Sequence, residues 1–162
     1  PMSALPTAFS PLSWSVRAMH EADLDTVIQV ENAVYRFPWS IGNFRDSLKA
    51  EHDAWVVEID GRLTGYAVLM WLPEEVHLLN LTVSAECQRR GLGRALLGWL
   101  IQNTRERGGC SMMLEVRPSN QGARDLYRSF RFVQIGLRKR YYPAPAGARE
   151  DALVLRLAYA IE

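Results

Sequence analysis

The run Gln88-Arg89-Arg90-Gly91-Leu92-Gly93-Arg94 sets three guanidinium groups and two glycines within seven positions. The apolar residues Ala95, Leu96 and Leu97 follow at once. This is the composition of an anion site. The first amides of a helix have no internal acceptors, and the helix dipole places roughly half a positive charge at that end. Gly91 and Gly93 let the backbone come close to a ligand, while Arg89, Arg90 and Arg94 add charge shaped for phosphate oxygens. A pyrophosphate is the expected guest. A dinucleotide fingerprint is excluded, because its third glycine would have to stand at Leu96. A P-loop needs Gly-Lys followed by Ser or Thr, and the chain has neither at this point.

Such a turn must be held between a buried strand and a helix, and the flanking sequence supplies both. Val76 to Val83 is nearly continuous in apolar residues and predicts a central strand. Leu92, Ala95, Leu96, Trp99 and Leu100 share one face of a helix that Gly108-Gly109 ends. Upstream, Trp14 to Ala18 predicts a strand, and Asp23 is the expected cap of a helix carrying Leu24, Val27, Ile28 and Glu31. Pro38 breaks that helix, and Ser40 caps the next. Ala54 to Ile59 and Arg62 to Trp71 predict a hairpin closed by a type I′ turn at Asp60-Gly61. Downstream come a strand at Ser111 to Val116, a helix lined by Ala123, Leu126, Tyr127 and Phe130, and strands near Phe132 to Tyr142 and Ala152 to Leu157. The order β-α-α-β-β-β-α-β-α-β-β gives an α/β fold: a mixed α+β sheet of about seven strands with about four helices on both faces. Residues 1–13, with Pro6 and Pro11, are expected to be a flexible extension, and 14–162 a single domain.

At these residues the chain resembles the GNAT superfamily of N-acetyltransferases. Gln88 to Gly93 matches that family's Q/R-x-x-G-x-G/A signature, and the element order matches from about Val16 to Leu157. Phe37-Pro38-Trp39-Ser40, Asn80 to Val83, Leu114 to Asn120, Leu126-Tyr127, Tyr141 to Pro143 and Arg149 to Ala152 are similar to its bacterial ribosomal-protein-alanine branch. Cys87 departs from the pattern, standing where an aromatic is common. The resemblance implies acetyl transfer from acetyl-CoA to the N-terminal α-amine, with alanine first, of a ribosomal protein. It implies that Leu81, Thr82 and Val83 lie along the pantetheine and acetyl group, bonding through their backbone. Arg89, Arg90, Gly91, Leu92, Gly93 and Arg94 would surround the pyrophosphate. Asn120 would bond the cofactor near its sulfur, Glu115 would be the general base and Tyr127 the general acid.

Read without the resemblance, these residues keep plainer alternatives. Glu115 interrupts the apolar run of its strand and fits equally an outward position. Tyr127 fits core packing, and Asn120 fits a helix cap. Phe37, Trp39, Tyr141 and Tyr142 are aromatic residues in expected loops. They suit either recognition of an extended peptide or plugging of the sheet. Glu31, Glu150 and Asp151 are candidates for negative potential toward a cationic amine. Acetyl transfer to a lysine or a small amine, and a non-catalytic coenzyme A module, remain alternative functions.

Bulk properties narrow the field further. The formal charge is +1, so neither nucleic acid nor an anionic membrane is an expected partner. The two cysteines, Cys87 and Cys110, make neither a metal motif nor a disulfide framework, which points to a reducing cytoplasm. No apolar run reaches membrane-spanning length, and residues 1–13 lack the pattern of a signal peptide. His20, His52 and His77 are scattered without ligand spacing, so no metal is expected.

Overall fold

The structure is a computed structural model that describes residues 14–160 of the 162. The flexible-extension expectation for 1–13 lies outside the described residues. Seven strands form one sheet in the order β1-β2-β3-β4-β5-β7-β6. They are β1 (Trp14–Ala18), β2 (Asp53–Ile59), β3 (Arg62–Trp71), β4 (Glu75–Val83), β5 (Ser111–Val116), β6 (Val133–Pro143) and β7 (Arg149–Ala158). Among the described residues four α-helices accompany them: α1 (Leu24–Val34), α2 (Ile41–Lys49), α3 (Leu92–Glu106) and α4 (Gln121–Ser129). β4 pairs β5 in parallel, whereas the β1–β2, β2–β3, β5–β7 and β6–β7 pairs are antiparallel. The expected mixed sheet is therefore present. By internal contacts the chain divides into two compact units, 14–70 with Asn80–Leu100, and Trp71–Leu79 with 101–160.

In the first unit the β2–β3 hairpin turns through Asp60 at φ 53° and Gly61 at φ 77°. Both are left-handed, as a type I′ turn requires. Ser40 caps α2 as expected: its hydroxyl accepts the Asn43 amide at 3.1 Å, and Asn43 Oδ1 accepts the Ser40 amide at 2.9 Å. Asp23 differs from expectation. A 3₁₀ turn at Glu21–Asp23 precedes α1, and Asp23 already has helical dihedrals. Its carboxylate reaches back to the His20 amide at 2.7 Å and binds the Arg17 guanidinium at 2.8 and 2.9 Å. The chain already turns from Glu21, so Asp23 stands at the third position of that turn and its carboxylate completes a capping box with His20 in place of capping α1.

The apolar stripe of α3 is buried at Leu92, Leu96, Leu97 and Leu100. Each such side chain contributes about 1.5–3 kcal/mol over an exposed one, which fixes where the helix begins and which face it shows outward. β3 approaches β4 closely at Gly65, where an added Cβ would stand 2.9 Å from the Thr82 carbonyl oxygen. In the second unit β5 pairs β7 from Ser111↔Ala158 to Val116↔Leu153. α3 gives way through Gly108 at φ 97°, at the glycine pair expected to stop it. No helix among the described residues is long and apolar enough to cross a membrane.

Candidate active site

The first unit holds the proposed anion turn. β4 ends at Val83, and a 3₁₀ turn at Ala85–Cys87 reverses the chain. Gln88 Nε2 donates to the Val83 carbonyl at 3.0 Å, which ties the turn back to its strand. Arg89 at φ 64° and Gly91 at φ 87° are both left-handed. An added Cβ at Gly91 would meet nothing within 4 Å. The positive φ, and not crowding, is thus what favours glycine there. The Ala95 amide donates to the Gly91 carbonyl at 3.0 Å and closes the first helical turn. The amides of Leu92 and Gly93 precede that bond, at the positively polarised start of the helix. Arg89, Arg90 and Arg94 are exposed. Helix-start amides and three exposed guanidinium groups thus stand together at the start of a 15-residue helix, a donor set of the kind that suits a diphosphate.

Thr82 is buried, and its side chain faces inward: the hydroxyl donates to Asn80 Oδ1 at 2.7 Å and lies 2.8 Å from Tyr35 Oη. Tyr35 Oη also donates to the Leu81 carbonyl at 3.1 Å. Burial pushes the Tyr35 phenol up to about 12, so it remains a donor. The Thr82 hydroxyl is thus engaged within the protein. In the same unit Phe37 is 37% exposed, with Arg36 over its ring at 5.7 Å. Trp39 is half-buried against Phe44, the ring centroids 5.0 Å apart.

The second unit holds Glu115, Asn120, Tyr127, Tyr141 and Tyr142. The Glu115 side chain is only 9% exposed. Its Oε1 lies 2.7 Å from His77 Nε2, and its Oε2 accepts from Arg138 Nε at 3.2 Å. The His77 hydrogen bond, aided by the charges of His77 and Arg138, holds the Glu115 carboxyl below the usual carboxylate range against the opposing effect of burial. An ionised carboxylate only accepts, so the facing proton sits on His77 Nε2. Tyr142 packs under the Arg117 guanidinium at 4.4 Å. Burial first, and the negative charge of Glu115 second, push its phenol well above the ordinary value. Tyr142 therefore stays neutral. Tyr141 and Tyr142 lie within β6 and not in the expected loop, because Tyr142 pairs with Glu150 on β7; Tyr141 is 45% exposed, edge-on to Tyr142 at 5.0 Å.

Asn120 caps α4, its Oδ1 accepting the Ala123 amide at 3.1 Å. That bond orients Asn120 and leaves its Nδ2 donors for another partner. Tyr127 is 8% exposed and packs edge-on to Phe132 at 5.5 Å.

Three carboxylates expected to face an amine are engaged within the protein. Glu31 is buried beneath Tyr66, Asn80 and Trp39. Glu150 accepts from Arg117 Nη1 at 3.2 Å, the Ser119 amide at 2.9 Å and the Ser119 hydroxyl at 3.0 Å. Asp151 accepts the Arg140 amide at 2.8 Å. Each sits where backbone or guanidinium donors need an acceptor, and that demand outweighs solvation of a surface charge.

His77, singled out by nothing in the sequence, is joined to Glu115 by the structure. The parallel register sets Glu75 beside Ser111 and His77 beside Met113, so His77 and Glu115 are diagonal neighbours. Only the register, which no single strand encodes, brings them together.

A model of the acetyltransferase (GNAT) family matches residues 24–132. The chain is 34% identical over 143 residues to the ribosomal protein bS18-alanine N-acetyltransferase of Escherichia coli, covering 88% of this chain and 96% of that protein. The enzyme of the same name from Haemophilus influenzae is 31% identical over 140 residues, covering 86% and 95%. The crystal structure of the ribosomal-protein-S18-alanine N-acetyltransferase from Escherichia coli aligns with a TM-score of 0.85 at 32% identity, covering 92% of this chain and 96% of that one. With the matched model spanning β4, the glycine turn, α3 and β5, the chain belongs to the acetyltransferase (GNAT) family.

Proposed function

We propose that this chain transfers the acetyl group of acetyl-CoA to the N-terminal α-amine, alanine first, of a ribosomal protein in the cytoplasm, with 14–162 acting as one catalytic domain. The observation that carries the cofactor reading is the start of α3, where left-handed Arg89 and Gly91 precede the helix-start amides and an exposed Arg94. The substrate reading rests on the relatives named for that reaction.

Acetyl-CoA supplies an acetyl thioester. Arg89, Arg90, Gly91, Leu92, Gly93 and Arg94 hold its diphosphate, and the backbone of Leu81, Thr82 and Val83 aligns the arm that leads to the thioester. A backbone amide near Val83 donates to the carbonyl oxygen as charge develops there. Asn120 offers its Nδ2 donors near the sulfur, and Tyr127 supplies a proton to the departing thiolate. A phenol at about 10 can do so for a thiol near 8.5 where water is excluded. Phe37, Trp39, Tyr141 and Tyr142 receive the acceptor peptide.

Glu115 accepts the amine proton, directly or through one water. Its two oxygens already receive His77 and Arg138, yet each keeps a second lone pair. A carboxylate held so acidic is a weak base. It suits an α-amine, which titrates at about 8, far better than a lysine at about 10.4. The test is incubation with acetyl-CoA and a panel of peptides, read by mass. One acetyl group at the N-terminal residue is expected, with alanine preferred; labelling confined to lysine would overturn the substrate assignment.

A further inference from the structure

α1 places Leu24, Val27 and Glu31 on its buried side. Two are aliphatic, and the third is a carboxylate with 2% exposure. Glu31 Oε1 accepts Tyr66 Oη at 2.7 Å and Asn80 Nδ2 at 3.2 Å, and Oε2 accepts the Trp39 amide at 2.9 Å. Asn80 Oδ1 in turn accepts Thr82, whose hydroxyl meets Tyr35 above the Leu81 carbonyl. The Trp39 ring lies on Phe44, which stands edge-on to Tyr66 at 5.6 Å. One buried carboxylate thus joins α1, β3 and β4 to the segment before α2, which has neither helix nor strand to hold it.

We propose that Glu31 is a positioning residue for acceptor recognition, holding the Phe37–Trp39 segment in the form that receives a peptide N-terminus. This rests on the reading of Phe37 and Trp39 as acceptor contacts. The chemistry explains why a carboxylate occupies a core position. Three donors converge on the group from two sides, so both of its oxygens must accept. A glutamine offers one oxygen. Turned to satisfy Tyr66 and Asn80, it presents an NH₂ to the Trp39 N–H, donor against donor. Glu31→Gln therefore cuts the bond to the loop while keeping volume and the bonds to β3 and β4.

The test is Glu31→Gln in the full chain, with steady-state kinetics on an alanine-first peptide, calorimetry with coenzyme A, and amide hydrogen exchange. Leaving a buried donor unpaired costs enough to predict a roughly tenfold rise in peptide KM and a similar acceleration of exchange at the Trp39 amide. The kcat and the coenzyme A affinity should stay within about twofold, because the donors on β3 and β4 keep their acceptor. A peptide KM unchanged while the Trp39 amide exchanges faster would overturn the inference and leave the proposed function standing. So would loss of kcat, KM and coenzyme A affinity together, the mark of a merely structural residue. A wild-type protein active only on lysine or small amines would remove both.

Discussion

His77 Nε2 on β4 lies 2.7 Å from Glu115 Oε1 on β5, and Arg138 on β6 donates to the other oxygen at 3.2 Å. The carboxylate is thereby ionised, oriented and only 9% exposed. A carboxylate so held differs from one free on a strand: its two partners set its direction at the cost of its basicity.

Glu115→Gln preserves shape and removes the charge. The expected result is a fall in kcat of about 10²-fold, the lower end for general base catalysis, with little change in coenzyme A affinity. Tyr127→Phe should behave alike. Turnover unchanged in both variants, measured by thiol release, would remove their catalytic roles.

The acid stability of the protein should carry the Glu115 signature. Its folded pKa is lowered, so the folded state binds fewer protons than the unfolded state between that value and about 4.3. Its contribution is present above about 4.3 and is lost as pH falls toward the folded value. Glu115→Gln should therefore flatten the dependence of unfolding free energy on pH in that acid window, measured by urea denaturation. An identical slope in the two proteins would show that Glu115 has no such link.

Arg94→Ala should weaken coenzyme A by roughly tenfold, the scale of one charge-assisted bond, while pantetheine, which carries no phosphate, loses little. Calorimetry distinguishes the two ligands. Equal losses would mean that Arg94 does not meet a phosphate.

Gly65→Ala puts a methyl group 2.9 Å from the Thr82 carbonyl oxygen. Backbone on both sides leaves no flexible side chain to move aside. A destabilisation of about 1–3 kcal/mol is expected in thermal or urea unfolding. Wild-type stability would mean that β3 and β4 can separate freely.

Local rules account for much of this protein. Asp60-Gly61 dictated its turn because a type I′ turn needs two left-handed residues, and the leucine stripe of α3 dictated its buried face. Gln88 to Arg94 marked a left-handed turn into α3, since glycine freedom and a helix start belong to one short segment. Asp23 shows where such rules end. Its capping role depended on the helical turn beginning at Leu24, and the chain already turns from Glu21. Tertiary structure alone decided the partners of the carboxylates. Glu31 at helical spacing and Glu115 on an alternating strand looked like groups facing solvent or substrate. Their surroundings came from chain distant in sequence: Tyr66 and Asn80 for one, His77 and Arg138 for the other. A charged side chain in low dielectric is governed by whichever donors the fold delivers to it, and helix packing for Glu31 and strand register for Glu115, not any property of the residue itself, deliver them.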